Sequence, residues 1–299
     1  MRLRILALTA ILVGPSVLAD GALAADGDRP QPVLDGRGFE SDYSVVEGYR
    51  SWVRGDRLIV EPDGGDKYVV QNGDVGAGSD LALETALGNV LVFTGSGDEG
   101  DVRVWDLDAR QFVATPEGVN TSVPEWQVAI SGDHLLFGRD PHYSGHTTQV
   151  VLMDIPSGTF EVLARSRHGA GPDSVNGDWA TYTVCAESTC DVFRFRISTG
   201  HARRLPHGPR RSLYDSTVTT DGTVFASRSR PGICRGVSIV RWTPGDPTVL
   251  WSFRDGLDAF GKDALVTEAS TTLFFTRVTC TRIPDDGTRL DYDVYRLNA

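Results

Sequence analysis

Short apolar runs recur along this chain at a near-constant interval, each opened by a tight turn. They read RGDRLIV at 54–60, LGNVLVF from Leu87, SGDHLLF from Ser131, NGDWATY from Asn176, TDGTVFA from Thr220 and ASTTLFF from Ala269. Their first apolar positions, Leu58, Leu91, Leu135, Ala180, Val224 and Leu273, are separated by 33, 44, 45, 44 and 49 residues. A second series runs in step with the first, starting at Val102, Val150, Val192, Val237 and Tyr292. Each member alternates apolar and polar residues, then places Asp106, Asp154, Arg196, Arg241 or Arg296 before one more apolar residue. In four of them a turn such as Pro156-Ser157-Gly158 leads into a further short run, for example FEVLA at 160–164. Alternation bounded by turn residues is the signature of a strand with one face packed and the other wetter. No helical period stands out beyond the first 24 residues.

Each unit therefore shows three strands and usually a fourth. Four antiparallel strands repeated every ~40–50 residues point to a β-propeller. The predicted fold is all-β: a six-bladed β-propeller of four-stranded antiparallel blades. The blades fall at roughly 43–78, 80–120, 123–168, 170–207, 211–253 and 255–299. The last unit stops after its third strand, which would leave an unpaired edge. The N-terminal segment, through Val33-Leu34 or Tyr43–Val46, is expected to supply the missing strand and close the ring.

The first residues change the picture of where this propeller works. Arg2 and Arg4 precede an apolar run from Ile5 to Leu18, and Ala22-Leu23-Ala24 forms a small-residue cleavage motif. Residues 1–24 thus read as a secretory signal peptide and 25–299 as a single domain that is secreted, extracellular or periplasmic. Cleavage changes the net charge from −11 to −12, because Arg2, Arg4 and Asp20 leave together. So acidic a chain disfavours nucleic acid and anionic membranes as partners. No second run approaches the ~20 apolar residues of a membrane span. An even number of cysteines in an exported chain reads as disulfides. Of the three possible connectivities, the blade plan favours Cys185–Cys190 within blade four and Cys234–Cys280 between blades five and six.

The repeated Gly-Asp-x-Leu-apolar-Phe, followed by Val-x-apolar-Asp-apolar-x-x-Gly, resembles the blade pattern of the TolB-like six-bladed propellers, related to the WD-repeat-like propellers of exported bacterial proteins. The resemblance covers essentially the whole of 25–299. The family's usual Ser-Pro-Asp-Gly turn is replaced here by Ile130-Ser131-Gly132-Asp133 or Thr219-Thr220-Asp221-Gly222. It implies a protein-interaction platform, with relatives that sit as non-catalytic domains beside hydrolases. It carries over no functional residue, because the shared positions are structural.

Two glycine motifs mimic nucleotide sites. Gly95, Gly97 and Gly100 spell G-x-G-x-x-G, but a strand-like DVRVWDL follows, and Asp98 and Glu99 would repel a pyrophosphate; the stretch reads as a hairpin turn. Gly256–Asp263 (GLDAFGKD) approaches a phosphate loop but ends on an aspartate where a magnesium-binding hydroxyl is required, and reads as a loop between blades. No G-x-S-x-G or H-E-x-x-H occurs. Metal candidates are His134, His142, His146 and Asp140 in blade three, suited to zinc, copper or manganese. The acidic hairpins Asp63–Asp66, Asp98–Asp101 and Asp285–Asp286 have the oxygen donors calcium takes. The tryptophans recur near strand positions, mainly for packing, with one or two available as a sugar or peptide platform. The function read from these features is non-enzymatic: a monomeric platform, without cofactor, for a protein or a cell-envelope polymer. The alternative is a metal-dependent hydrolase or lyase acting on a lactone or glycan at the central axis. An enzyme would need convergent carboxylates or histidines there, and the repeats show none.

Overall fold

A strand whose two faces are both covered has no wet side, and this governs the molecule. The computed structural model describes residues 29–299 apart from 35–39, 77, 96–99, 141–146, 209–210, 230–235, 244–246, 254–255, 268–269 and 284–286. The leader at 1–24 lies outside the described residues.

The first strand, β1 (Gln31–Leu34), is set apart from the rest. Blade one then contains β2 (Glu40–Val46), β3 (Tyr49–Arg54), β4 (Arg57–Pro62) and β5 (Tyr68–Asn72). Blade two contains β6 (Ser79–Thr85), β7 (Gly88–Thr94), β8 (Val102–Asp106) and β9 (Gln111–Val113). Blade three contains β10 (Glu125–Ser131), β11 (His134–Arg139), β12 (Thr148–Asp154) and β13 (Thr159–Ser166). Blade four contains β14 (Ala170–Asn176), β15 (Trp179–Cys185), β16 (Cys190–Arg196) and β17 (His201–Arg204). Blade five contains β18 (Ser212–Val218), β19 (Val224–Ser229), β20 (Val237–Trp242) and β21 (Pro247–Phe253). Blade six contains β22 (Gly256–Val266), β23 (Thr271–Ile283) and β24 (Gly287–Asn298), and its fourth strand is β1, which pairs antiparallel with β24. The inner strands β2, β6, β10, β14, β18 and β22 each contact the next, and β22 returns to β2, so the ring closes.

The core consists of the seams between blades. On β11, Leu135 and Phe137 pack with Val90, Val92 and Val104 of blade two, while Leu136 packs with Ala180, Tyr182 and Phe195 of blade four. Period-two alternation sorts side chains between two apolar neighbours here, not between core and water. The apolar run of β7 is covered on both faces, Val90 through Thr94 being buried, whereas the alternating run of β8 buries Val102 and Val104 and leaves Arg103 and Trp105 partly exposed.

Two expectations are corrected. RGDRLIV is the turn between the second and third strands of blade one, not between its first and second; the unit equivalent to the other five starts at β3. The short 33-residue interval has this origin. Gly256–Asp263 is not a loop but part of β22, the innermost strand of blade six. Its alternation is broken by register shifts between Gly256 and Asp258 and between Phe260 and Asp263. The G-x-G-x-x-G stretch joins β7 to β8, which pair antiparallel from Thr94 and Val102 outward.

Candidate functional site

The six inner strands surround a cavity of about 380 Å³ at the axis, and its wall is acidic: Asp42, Asp80, Asp173, Asp215 and Asp263 line it, with Gln127 from blade three. Irregular pairing puts several of them there. Register shifts fall at Ser41/Ser44, Trp126/Val128, Pro172/Ser174 and Tyr214/Ser216, so that Asp42, Gln127, Asp173 and Asp215 lie in bulges. Three of these take a left-handed backbone, with φ of 50° at Asp42, 45° at Gln127 and 47° at Asp215. A bulge of this kind re-aims one side chain without breaking the ladder, and asparagine, aspartate and related polar residues tolerate positive φ better than bulky apolar ones.

The carboxylates also clip blades together. Asp263 Oδ2 accepts from the Val45 amide at 2.8 Å and from the Ser44 hydroxyl at 3.0 Å. Asp80 accepts from the Ile130 amide at 2.8 Å and lies 3.1 Å from the same Ser44 hydroxyl. Asp173 accepts from Ser216 at 2.7 Å and Thr183 at 2.8 Å, and Asp42 from the Gly78 amide at 3.2 Å. Burial, and then the neighbouring Asp263 charge, hold the Asp80 carboxyl well above the usual carboxylate range. Burial raises Asp263 and Asp42 as well, against the hydrogen bonds they accept. Such a wall attracts cations and can hold a proton on one of its carboxyls.

The acidic axis overturns the expectation that no carboxylates converge there. The signal was present in the sequence: an aspartate stands shortly before the inner turn in five units, at Asp42, Asp80, Asp173, Asp215 and Asp263. Variable spacing to the turn, caused by the bulges, hides it from a search at fixed period.

The other candidates are placed as follows. His134 starts β11, with Nε2 4.0 Å from Asp154 Oδ2, whereas Asp140 follows the far end of that strand. They are six residue steps apart along an extended chain, about 20 Å, so the two do not share one ion; His142 and His146 lie outside the described residues. Among the described residues no three His, Cys, Asp or Glu side chains are grouped to hold a metal, and no histidine lines the cavity. Of the acidic hairpins, Asp98, Asp285 and Asp286 also lie outside. Cys185 and Cys190 form a disulfide across the β15–β16 turn; Cys234 and the Cys280 side chain are outside the described residues. None of the six tryptophans is freely exposed, and Trp52 and Trp242 are buried. No helix among the described residues is long and apolar enough to cross a membrane.

No protein-family model and no curated protein matches the sequence. Among solved structures, the chain is similar to a TolB protein of Agrobacterium tumefaciens, at 11% identity over 88% of this chain and 91% of that one, with a TM-score of 0.60. TolB of Acinetobacter baumannii is similar at 15% identity over 81% of this chain and 59% of that one, with a TM-score of 0.51. The acylaminoacyl peptidase of Pyrococcus horikoshii is similar at 12% identity over 85% of this chain and 46% of that one, with a TM-score of 0.50. At these identities the likeness is one of fold, and the fold is that of the TolB-like six-bladed β-propellers.

Proposed function

We propose that this protein is a non-enzymatic binding platform, exported by cleavage of its leader, whose axial funnel receives a cationic segment of a protein partner. The observation that carries the reading is the ring of five aspartates around a cavity large enough for side chains, an acidic wall suited to a cationic ligand. Low-dielectric walls with one sign of charge focus the field and steer an oppositely charged ligand into the opening. The TolB-like fold supports a platform role; propeller peptidases among the structural neighbours keep the fold from deciding it alone.

The test uses a fluorescent oligolysine peptide and anisotropy at low ionic strength. Saturable binding, weakened about tenfold by the double variant Asp42→Asn, Asp215→Asn and by added salt, is the expected result. Binding that survives the double variant at full strength would place the contact elsewhere and sink the funnel reading.

A further inference from the structure

The negative charge of this chain is unevenly spread. Residues 160–246 hold twelve arginines against eight acidic residues, a net of +4, and the remainder of the chain therefore holds −15 of the total −11. This basic stretch centres on the seam between blades four and five, where arginine and tryptophan side chains interleave.

Trp179 of β15 packs against the apolar cluster of this seam, to which Trp242 of β20 belongs. The Arg194 guanidinium, from β16, lies 4.6 Å from the Trp179 ring centre and 5.2 Å from that of Trp242. Arg203 of β17, the cross-strand partner of Arg194, lies 5.0 Å from the Trp242 ring centre, and Arg196 lies 5.4 Å from that of Trp179. Arg196 is neutralised by Asp178 at 2.7 Å. Arg194 is 8% exposed and donates one Nη to the Gly222 carbonyl. Asp221, the nearby acid, accepts from the Thr219 hydroxyl and from the Thr223 amide and hydroxyl. Arg203 is exposed and has no carboxylate partner among the described residues.

The seam also has a surplus of donors. Arg194 Nε, the indole N–H of Trp242 and the hydroxyl of Thr181, which is the register partner of Arg194 on β15, are buried and have no hydrogen-bond partner among the described residues. Guanidinium and indole nitrogens can only donate, so the chemistry missing at this seam is an acceptor, and the charge missing is negative.

We propose that the seam of blades four and five is an oxyanion site that takes a phosphate group on the Arg203 guanidinium, with the buried charge of Arg194 beside it. Stacking on Trp242 leaves the in-plane N–H groups of Arg203 free and pre-sets the fork that binds phosphate bidentately. The group arrives either as inorganic phosphate or as part of a phosphate-bearing polymer. This site is separate from the axial funnel and does not rest on it.

Isothermal titration of the full chain with inorganic phosphate and with polyphosphate, at low ionic strength, tests the proposal. Saturable binding that Arg203→Gln weakens about tenfold, and Arg203→Lys by less, supports it. Polyphosphate saturating well below inorganic phosphate assigns the site to a polymer, and equal affinity per phosphate assigns it to the free ion. Arg57→Gln removes the same charge from an exposed position at the start of β4 in blade one and is expected to leave binding unchanged. Absence of saturable binding by either probe, or equal losses from Arg57→Gln and Arg203→Gln in variants with native circular dichroism, overturns it.

Discussion

Ser44 has one hydroxyl proton and two carboxylates within reach, Asp80 at 3.1 Å and Asp263 at 3.0 Å, while its oxygen accepts from the Leu81 amide. One hydroxyl cannot donate to both, so the trio is completed when one carboxyl keeps its own proton and donates to Ser44. Burial and the Asp263 charge make Asp80 the carboxyl that keeps it. A carboxyl raised in the folded state binds a proton that the unfolded chain releases. Its stabilisation is fully present below the usual carboxylate value of 3.8 and is lost as pH rises through the raised value. Thermal melts from pH 5 to 8 are expected to show a declining midpoint in the native protein, and a smaller decline in Asp80→Asn, whose amide is neutral throughout; identical profiles would refute the shared proton. Asp178 works in the opposite sense and elsewhere: Arg196 and Ser198 lower it to about 2, so its contribution fades only in strong acid. A second residue tests packing. A Cβ on Gly138 would stand 2.6 Å from the Trp126 ring and 2.7 Å from its carbonyl oxygen, and backbone does not yield as a side-chain tip does. Gly138→Ala is expected to cost about 1–3 kcal/mol in chemical denaturation, and a change within error would show that blade three can shift. The lining aspartates could be named from the sequence but not grouped, because bulges change their spacing and only folding brings Asp42 to Asp80 and Asp263.

At the scale of elements, β1 is the exposed side of blade six. It pairs with β24 through Gln31, Pro32 and Leu34, and Arg296 donates to Gln31 at 3.0 Å. Val33 and Leu34 pack against the seam of blades six and one, which is built on Tyr43, Trp52, Ile59, Phe274 and Val294. Pro32 is tolerated because an outermost strand donates on one side only. Deleting residues 1–35 would uncover the outer edge of β24, a template for pairing with another chain. The expected result is a loss of about 1–3 kcal/mol, with concentration-dependent association in light scattering; an unchanged midpoint and a monodisperse sample would mean that β24 needs no cover. The turns and alternating runs that mark second and third strands were legible, because Gly-Asp turns and Asp106 or Asp154 recur in register. The inner strands were less so: β22 contains Gly256 and Gly261 and two register shifts, and reads as a loop until β23 is seen paired along it.

For the whole molecule, six seams of similar kind coexist with two unlike electrostatic regions: an acidic axis and an arginine-rich seam. Uniform net charge would make every charged probe respond to every charge variant through the mean field. Local sites respond only to their own residues once salt screens distances beyond about 8 Å. At physiological ionic strength, Asp42→Asn with Asp215→Asn is therefore expected to weaken oligolysine about tenfold and leave polyphosphate unaffected. Arg203→Gln is expected to do the reverse. Anisotropy for the peptide and titration calorimetry for the polyanion, with each variant measured against both, check this directly. If both variants shift both probes in proportion to their charge change, binding reports the overall field and neither surface is a site. If the effects separate, one ring presents two faces of opposite chemistry, and a partner bearing both signs of charge can span from the axis to the seam.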